Sequence, residues 1–427
     1  MSSVTSVEQD AGEADGIEIR VVGEDELAAW GAAVSVGFLR AGLPDAPEFR
    51  RLRQFPERTV GAFDGERIVG TFRSFPTELT LPGGALLPVS AITGVTVHPT
   101  HRRRGLLTRM MTRELAAARD RGEAVAILIA AEYGIYGRFG FGPATRHHGW
   151  RVDLSRTRGL RPGLPTVPGG RLDLIDMAEL GKLGPELHER WRRGRPGAIA
   201  RDAAFWKPLT GEMTMPGREW KEPFAVVHRD AAGTVTGLAV YRVDDNWAGP
   251  VPDNTLTVRD FLALDPPTEV ALWRYLLSVD WVRHVTVPNI APDDPLPLLL
   301  ADPRAARPYE DDCDFVWLRV LDVPAAFGAR TYGAPGRVVL DVADPDGHAA
   351  GRWALEVDPT GTGRVTRTDD PADLALGAAE LGRLYLGAET APRLAAAALV
   401  TELRRGAAQA LDLLLRTPLR AWNPDGF

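Results

Sequence analysis

The sequence predicts a layered α/β (α+β) protein of three domains, and three observations lead to this prediction. From Ile17 to Leu154, a strand and a helix precede three antiparallel strands, a second helix and a buried strand. The same order returns between about residues 156 and 305. From about Arg307 the pattern changes to alternating strands followed by helical segments rich in Ala and Leu, which indicates an independent α+β domain.

Length and composition support this division and exclude several classes of protein. A chain of 427 residues exceeds what one hydrophobic core usually organises, so two or three domains are expected. The net charge of −7 argues against nucleic acid as a partner, because phosphate binding needs a basic face. Cys313 is the only cysteine, which excludes an intrachain disulfide and a thiolate metal site. The longest apolar run, residues 124–131, is too short to span a membrane, so we expect a cytoplasmic protein without a membrane partner.

The first domain is predicted to cover residues 1–155 and to contain an antiparallel meander. Two turns join its strands, Asp64-Gly65 and Pro82-Gly83-Gly84, and Asp-Gly suits the positive φ angles of a tight hairpin. Apolar residues at helical spacing predict a helix from Gly105 to Arg121. The continuous apolar run AVAILIA that follows predicts a buried strand.

The second domain is predicted over residues 156–305 as a degenerate copy of the first. A strand pair from Phe224 to Val243, a third strand over Leu256–Leu264 and a following helix repeat the earlier order. The junction between third strand and helix differs, because Asp265-Pro266-Pro267 stands where the first domain has HRRRGLL. Proline supplies no N–H group, so this copy offers no loop for a phosphate and is expected to be structural.

The third domain is predicted over residues 306–427. The segments FVWLRVLDV, RVVLDVAD and RWALEVD have the alternating pattern of strands. A helical stretch is predicted from about Arg393 to Leu415, because Ala, Leu and Arg favour helix. The mixture indicates an independent α+β domain.

A basic loop containing glycine joins the strand that ends at Val97 to the following helix. The N-terminus of a helix carries unpaired N–H groups and the positive end of the helix dipole, which suits a pyrophosphate. Gly105 lets the backbone approach such an anion, and Arg102, Arg103 and Arg104 surround it with positive charge. The alternative interpretation is a basic surface turn that only caps the helix.

A second segment, AAEYGIYGRFGFGPAT, follows the buried strand and carries two tyrosines on a short helix. A phenol with a reference pKa of about 10 stays protonated at neutral pH, so Tyr133 or Tyr136 could serve as a general acid. Either could instead be a core aromatic in a glycine-flanked turn. His98 and His101 are spaced like a pair of metal ligands, but no third ligand accompanies them, so no metal site is predicted.

These motifs resemble the Eis (enhanced intracellular survival) acetyltransferases of actinobacteria, a family of the GNAT superfamily. Arg102-x-x-Gly105-x-Leu107 matches the pyrophosphate-loop motif of the superfamily except at Leu107, where a small residue is usual. Within the Eis family, HRRRGLL is the usual sequence of this loop. The string GIYGRFGFGPAT resembles the same family almost letter for letter. Further segments between Tyr241 and Ala388 resemble it in order, so the resemblance covers nearly the whole chain.

The resemblance implies a GNAT domain, a degenerate second GNAT domain and a C-terminal domain similar to sterol carrier proteins. It implies acetyl-CoA as co-substrate, no metal, and Tyr136 rather than Tyr133 as the acid that protonates the leaving thiolate. It also implies that the α-carboxylate of Phe427, the last residue of this sequence, reaches the active site as a base. The residues expected to bind acetyl-CoA are Val95, Thr96, Val97, Arg103, Arg104, Gly105, Leu106, Leu107, Thr108, Ala131 and Glu132.

The resemblance further implies a small-molecule amine as acceptor, polyamine-like and including aminoglycosides, and a homohexamer built as two stacked trimers. Arg40 occupies a place at the end of the first helix where some relatives carry an acid. Two alternatives stand beside this function. One is a protein lysine acetyltransferase, and the other is a regulatory module that binds coenzyme A or an apolar ligand without turnover.

Overall fold

The computed structural model describes residues 16–40, 51–52, 55–214, 217, 219–309 and 312–427. In chain order, the strands of these residues are β1 (Ile17–Val21), β2 (Thr59–Asp64), β3 (Arg67–Thr80), β4 (Leu86–Val97), β5 (Val125–Ile129), β6 (Gly142–Pro143), β7 (Arg146–His147), β8 (Trp150–Asp153), β9 (Arg171–Ile175), β10 (Phe224–Arg229), β11 (Val235–Val243), β12 (Trp247–Ala248), β13 (Val251–Pro252), β14 (Asn254–Ala263), β15 (Val282–Val287), β16 (Ala306–Pro308), β17 (Cys313–Asp314), β18 (Val316–Val320), β19 (Gly336–Ala343), β20 (Gly351–Val357), β21 (Gly363–Arg367), β22 (Leu374–Gly377) and β23 (Val400–Glu402).

The α-helices whose full extent is described are α1 (Leu27–Gly37), α2 (Leu106–Asp120), α3 (Tyr133–Tyr136), α4 (Met177–Arg192), α5 (Ala203–Thr210), α6 (Pro266–Leu276), α7 (Leu296–Leu299), α8 (Val323–Gly328), α9 (Ala378–Tyr385), α10 (Ala391–Ala396) and α11 (Ala407–Leu415). The predicted helix from Gly105 to Arg121 corresponds to α2, with Gly105 at its N-cap position. In the described part of the chain, no helix combines the length and the apolar character needed to cross a membrane.

The first sheet has the strand order β1-β2-β3-β4-β5-β18-β6. Its neighbours are antiparallel except β4 and β5, which run parallel. These two strands pair only between Ser90–Ile92 and Ala126–Leu128. Beyond that point β4 continues to Val97 while the two strands diverge. The divergence opens a gap in the sheet, next to the loop that leads into α2.

The sheets cross the domain boundaries predicted near residues 155 and 305. Strand β18, predicted within the third domain, lies in the first sheet with Leu318 opposite Ile127 of β5. Strand β8, predicted within the first domain, lies in the second sheet between β16 and β15. The pattern along a strand indicates that it is buried, but the sheet it joins depends on which distant edge is open.

The second sheet has the order β16-β8-β15-β14-β11-β10-β9 and repeats the arrangement of the first. Its parallel neighbours β14 and β15 pair over Asn254–Thr257 and Val282–Thr286, and then they also diverge. Helix α6 follows β14 as α2 follows β4. The predicted duplication of the first domain is therefore confirmed, including a second gap between parallel strands.

The third sheet has the order β21-β20-β19-β22-β23 and packs against α8 to α11. The helical stretch predicted from Arg393 to Leu415 is wrong as a continuous element, because β23 interrupts it between α10 and α11. Ala398 and Gly406 have φ angles of 58° and 84°, and such left-handed residues end or precede a helix rather than continue it. Because Ala and Leu favour helix, a composition rich in these residues gives no sign of the two points, at Ala398 and Gly406, where the helical stretch is interrupted.

The first and third domains share one hydrophobic core. Helix α9 packs directly on β18, where a Cβ on Gly382 would lie 2.2 Å from the carbonyl oxygen of Leu318. A buried ion pair joins the same strand to the third domain, with Arg319 Nη2 2.7 Å from Asp344 Oδ1. Removing one partner of such a pair typically costs about 3–5 kcal/mol. The two domains are therefore one folding unit around β18.

Candidate functional site

The gap in the first sheet is bordered by the end of β4, where a bulge interrupts pairing with β3. Thr96 pairs with Thr71 of β3 and Thr93 pairs with Arg73, so Gly94 and Val95 between them are not paired with any residue of β3. Gly94 has a φ of 62°, and its carbonyl oxygen accepts a hydrogen bond of 2.8 Å from Thr71 Oγ1. A bulge turns backbone groups away from the neighbouring strand. The edge from Val95 to Val97 can therefore receive an extended ligand as an additional strand.

The loop between β4 and α2 forms an open cradle of backbone amides. Gly105 is the N-cap residue with a φ of 75°, and Arg103 is also left-handed at 65°. The first hydrogen bond of the helix runs from the amide of Arg109 to the oxygen of Gly105, at 3.0 Å. The amides of Leu106, Leu107 and Thr108 thus have no partner within the helix, and no side chain caps this end in the described residues.

The open side of this cradle faces unoccupied space. A Cβ built on Gly105 would meet no atom within 4 Å, and the side chains of Arg102, Arg103 and Arg104 are exposed around it. Arg102 Nε donates to the oxygen of Val97 at 3.4 Å, which links the loop to the end of β4. Unpaired amides at a positive helix end, with surrounding arginines, are a site for a phosphate or pyrophosphate.

The two histidines before the cradle belong to the scaffold of the loop. Thr100 Oγ1 lies 2.7 Å from a ring nitrogen of His98 and 2.7 Å from one of His101. His101 is buried, and its Nε2 lies 3.2 Å from Asp64 Oδ2. Hydrogen bonds from Arg67 and His101 hold the pKa of the Asp64 carboxyl below its usual range. Among the described residues, no group of three His, Cys, Asp or Glu is arranged to hold a metal.

The two candidate tyrosines lie in different surroundings. Tyr136 is 8% exposed and its ring packs edge-on against Phe141, with 6.3 Å between centroids. Burial raises the pKa of the Tyr136 phenol, and the negative charge of Glu132 raises it further. Tyr133 is 59% exposed, and its hydroxyl accepts a hydrogen bond of 2.8 Å from Arg383 of α9. Tyr136 is therefore the phenol held protonated inside the domain.

Tyr136 belongs to the same apolar cluster as both sides of the gap. That cluster contains Ile92 and Leu128, the last paired residues of β4 and β5, and Val95, Val97 and Leu107 pack against it. Ala131 and Glu132 are exposed residues directly after β5. The structure thus brings all the predicted donor-binding residues and Tyr136 to the carboxyl end of the two parallel strands.

The C-terminal segment reaches the sheet at the point where the gap begins. The ring of Phe427 packs edge-on against Phe75 of β3, with 5.8 Å between centroids. Phe75 pairs with Ala91 of β4, which in turn pairs with Ile127 of β5. These side chains belong to a different core cluster from Tyr136, because successive residues of a strand face opposite sides. Phe427 and Tyr136 therefore lie on opposite faces of the sheet beside one gap.

A cavity of about 270 Å³ lies beside Phe427. Its apolar wall includes Phe75, Ile199 and Phe205, and its polar wall includes Glu78 and Asp202. The remaining lining residues are Pro76, Thr77, Ala200, Arg201, Asp425, Gly426 and Phe427.

The charges around this cavity favour a cation. Glu78 Oε2 is 2.6 Å from Arg192, and Asp202 accepts a hydrogen bond from the amide of Phe205 at 3.2 Å. Arg201 is matched by two buried carboxylates, Asp260 and Asp425. Arg192 compensates the charge of Glu78, but Arg201 carries one positive charge against two carboxylates. Together with Asp202, the wall therefore keeps an excess of negative charge, which attracts an ammonium group.

Sequence reasoning missed this cavity, because its walls come from three distant parts of the chain. The segment from Ile199 to Phe205 belongs to the second domain and packs beside β3 of the first, through a bridge between Leu79 and Ile199. Asp202 carries a local signal, since an acid before an apolar helix is a typical N-cap. That signal predicts the start of α5 but gives no indication of what lies opposite it.

Comparison with protein families finds three matching regions in succession along the chain. Residues 18–144 and residues 197–320 each match a family model described as an acetyltransferase (GNAT) domain. Residues 323–424 match a sterol carrier protein domain. The predicted tandem arrangement and the character of the C-terminal domain are confirmed.

Individual proteins resemble the chain over most of its length. A Streptomyces avermitilis protein named as an uncharacterized N-acetyltransferase is 49% identical over 97% of this chain and 99% of its own. The N-acetyltransferase Eis of Mycobacterium bovis is 38% identical over 79% of this chain and 80% of its own. The crystal structure of Eis1 from Mycobacterium abscessus superposes with a TM-score of 0.84 at 33% identity, and covers 96% of this chain and 100% of that one.

Proposed function

The chain belongs to the Eis family of N-acetyltransferases within the GNAT superfamily, and on that premise we propose that it acetylates primary amines of small, polyamine-like molecules. Acetyltransferases of this fold use acetyl-CoA, and the reaction is direct transfer from the thioester to the amine. The observation behind the choice of acceptor is the cavity at Phe427, which combines aromatic walls with Glu78 and Asp202. Aminoglycosides and linear polyamines share the repeated ammonium groups that such walls attract.

On the donor side, we assign the pyrophosphate of acetyl-CoA to the amides from Arg103 to Thr108. The support is the open cradle at Gly105 and the unpaired start of α2. The pantetheine arm then runs along the free edge from Val95 to Val97, with Ala131 and Glu132 on the opposite border of the gap. This path leads the thioester towards Tyr136.

The chemical step needs one base and one acid. The substrate arrives as an ammonium, which must lose a proton before its nitrogen can attack the thioester carbonyl, and we assign that proton to the α-carboxylate of Phe427, directly or through a water. Collapse of the tetrahedral intermediate breaks the carbon–sulfur bond. Tyr136 then gives its phenolic proton to the departing thiolate. The nitrogen carries one surplus proton after the attack, and this proton passes to the Tyr136 phenolate, while the Phe427 carboxyl releases its proton to solvent. The products are an acetylated amine, free coenzyme A and one proton.

A thiol-release assay with acetyl-CoA and a panel of amines tests this function. The panel should contain linear polyamines, aminoglycosides and a lysine-containing peptide. We expect turnover with the small polycations and little with the peptide. Turnover confined to the peptide would favour the lysine acetyltransferase, and tight binding of coenzyme A without turnover of any amine would favour the regulatory module.

We further propose that the enzyme is a cytoplasmic homohexamer, as expected for its family. The support within the chain is exposed apolar surface on the second domain, where Trp247, Val251 and Trp281 are 48%, 57% and 68% exposed. Apolar surface of this kind is often covered by another subunit.

Replacing Gly105 by Val should raise the KM for acetyl-CoA by at least about tenfold, which corresponds to about 1.4 kcal/mol of lost binding. A valine would place its methyl groups in the open space of the cradle and would disfavour the φ of 75°. Gly122→Val is the matched control, because Gly122 lies just beyond the other end of α2 with a φ of 80° and open space around it. Equal effects of the two substitutions on KM would contradict the cradle.

Calorimetric titration should find one molecule of acetyl-CoA bound per chain. The start of α6 lacks the amides of a cradle, because Pro266 and Pro267 occupy its first turn. The side chain of Asp265 already accepts the amide of Thr268 at 2.8 Å. Two sites of similar affinity would disprove the prediction that the second domain binds no acetyl-CoA.

A further inference from the structure

The C-terminal segment lies against the gap in the second sheet. Trp422 and Pro424 lie with Val258–Phe261 of β14 and Val287–Asn289 around one small cavity, where β14 and β15 have diverged. Trp422 is 4% exposed, and Asn423 and Asp425 are buried as well. The segment therefore lies at the place that corresponds, by topology, to the gap proposed to take acetyl-CoA in the first sheet.

Both borders of this gap bind the segment through hydrogen bonds. On the β15 side, Asn289 Nδ2 donates to the oxygens of Asn423 and Pro424 at 3.2 and 3.1 Å. Asn289 Oδ1 accepts a hydrogen bond of 2.9 Å from Trp422 Nε1. The amide nitrogen and the amide oxygen of the Asn289 side chain thus form hydrogen bonds with three consecutive residues of the segment.

On the β14 side, the link is a buried arginine with two carboxylates. Arg201 Nη1 and Nη2 donate to Asp260 of β14 at 2.7 and 2.9 Å. Arg201 Nε and Nη2 donate to Asp425 at distances from 2.9 to 3.1 Å. The three side chains are between 2% and 5% exposed. Each of the two carboxylates accepts more than one hydrogen bond from the planar guanidinium of Arg201, and this contact fixes the orientation of both carboxylates.

We propose that the second domain is a clamp for the C-terminal segment and that Arg201 is its positioning residue. The domain retains the parallel-strand gap of an acetyltransferase but uses it to hold Trp422–Asp425. Two residues beyond Asp425, Phe427 then meets Phe75 at the border of the acceptor cavity. The inference rests on the proposed role of the Phe427 carboxylate, and it explains why a domain without a phosphate loop keeps this architecture.

The test weakens the clamp from its two sides and measures the kinetics of both substrates. Asp425→Asn keeps the size of the side chain and leaves the pair of Arg201 with Asp260. Asn289→Ala removes the hydrogen bonds on the other border. Each should lower kcat/KM for the amine by about ten- to a hundredfold, because a displaced catalytic group loses its orientation, with KM for acetyl-CoA unchanged. Asp173→Asn is the control, since Asp173 pairs with Arg171 and Arg229 at the far edge of the same sheet.

A C-terminal tag distinguishes failure of the clamp from failure of the proposed base. In tagged enzyme, whose carboxylate is already displaced, Asp425→Asn should add no further loss. The same loss in tagged and untagged enzyme would overturn the clamp, and so would full amine kinetics in both folded variants. If the tag alone has no effect, the proposed base fails instead, whatever the variants do. If Asp425→Asn does not fold, Asn289→Ala, with neutral groups only, decides the question in the same two backgrounds.

Discussion

Replacing Tyr136 by Phe should lower kcat by about 10²- to 10⁴-fold and leave acetyl-CoA binding intact, because the ring still packs against Phe141 while the proton is lost. The leaving thiolate then departs without a proton donor. The measurement is steady-state kinetics, together with titration of coenzyme A to show that the donor site is preserved.

The pH profile gives an independent check on Tyr136. Burial raises the pKa of its phenol, so the acid form persists above the usual range of a tyrosine. A general acid is active while it is protonated, so deprotonation of this phenol should lower kcat at alkaline pH, above the usual range of a tyrosine. This alkaline limb should disappear in Tyr136→Phe if the limb reports the titration of this phenol.

Tyr133→Phe is the matched control for Tyr136. It removes a hydroxyl that accepts a hydrogen bond from Arg383 on a largely exposed side chain. We expect kcat to remain within about twofold of the parent, as is usual for a surface change. If Tyr133→Phe gives the large loss and Tyr136→Phe does not, the assignment of the acid is wrong.

A short tag appended after Phe427 should lower kcat/KM for the amine by about 10²-fold and leave the KM for acetyl-CoA unchanged. The tag converts the α-carboxylate to a neutral amide, which can neither accept a proton nor attract an ammonium. An α-carboxyl has a reference pKa of about 3.3–3.7, so it is ionised at neutral pH but is a weak base. We therefore expect a loss of kcat/KM at the lower end of the range of about 10²- to 10⁴-fold that general base catalysis contributes.

Two variants separate the carboxylate from the ring that carries it. Phe427→Leu keeps the carboxylate and removes the edge-on contact with Phe75, so it should retain most activity. Deletion of Phe427 moves the carboxylate back to Gly426 and should resemble the tagged enzyme. A tag of equal length at the N-terminus controls for the added peptide. Normal amine kinetics after C-terminal tagging would remove the carboxylate from the mechanism.

Local features of this site were predictable from the sequence. The helix at Gly105 follows from a glycine, a basic run and apolar residues at helical spacing, all within a few residues of one another. The place of Tyr136 after a buried strand is equally local. The different exposure of Tyr133 and Tyr136 was not predictable from spacing, because it depends on Arg383 and Trp317, which belong to distant parts of the chain.

Features built across the chain could not be predicted in this way. Glu78 and Asp202 form one cavity wall only because the second domain packs beside β3. The residue pattern around Trp422 indicates no partner, yet Asn289 and Asp260 decide where the segment runs. Hydrophobic periodicity reports which face of an element is buried, whereas these contacts depend on which surfaces meet.

The position of β18 has a consequence for the synthesis of the protein. A nascent chain leaves the ribosome with β5 exposing one edge, and the strand that covers this edge is made only after the whole second sheet. An apolar edge such as that of Val125–Ile129 is a template for pairing with other chains. The first sheet can therefore be completed only after β18 has been synthesised. A gene fragment that stops near residue 155 would encode every strand of the first sheet except β18 and would leave the edge of β5 uncovered.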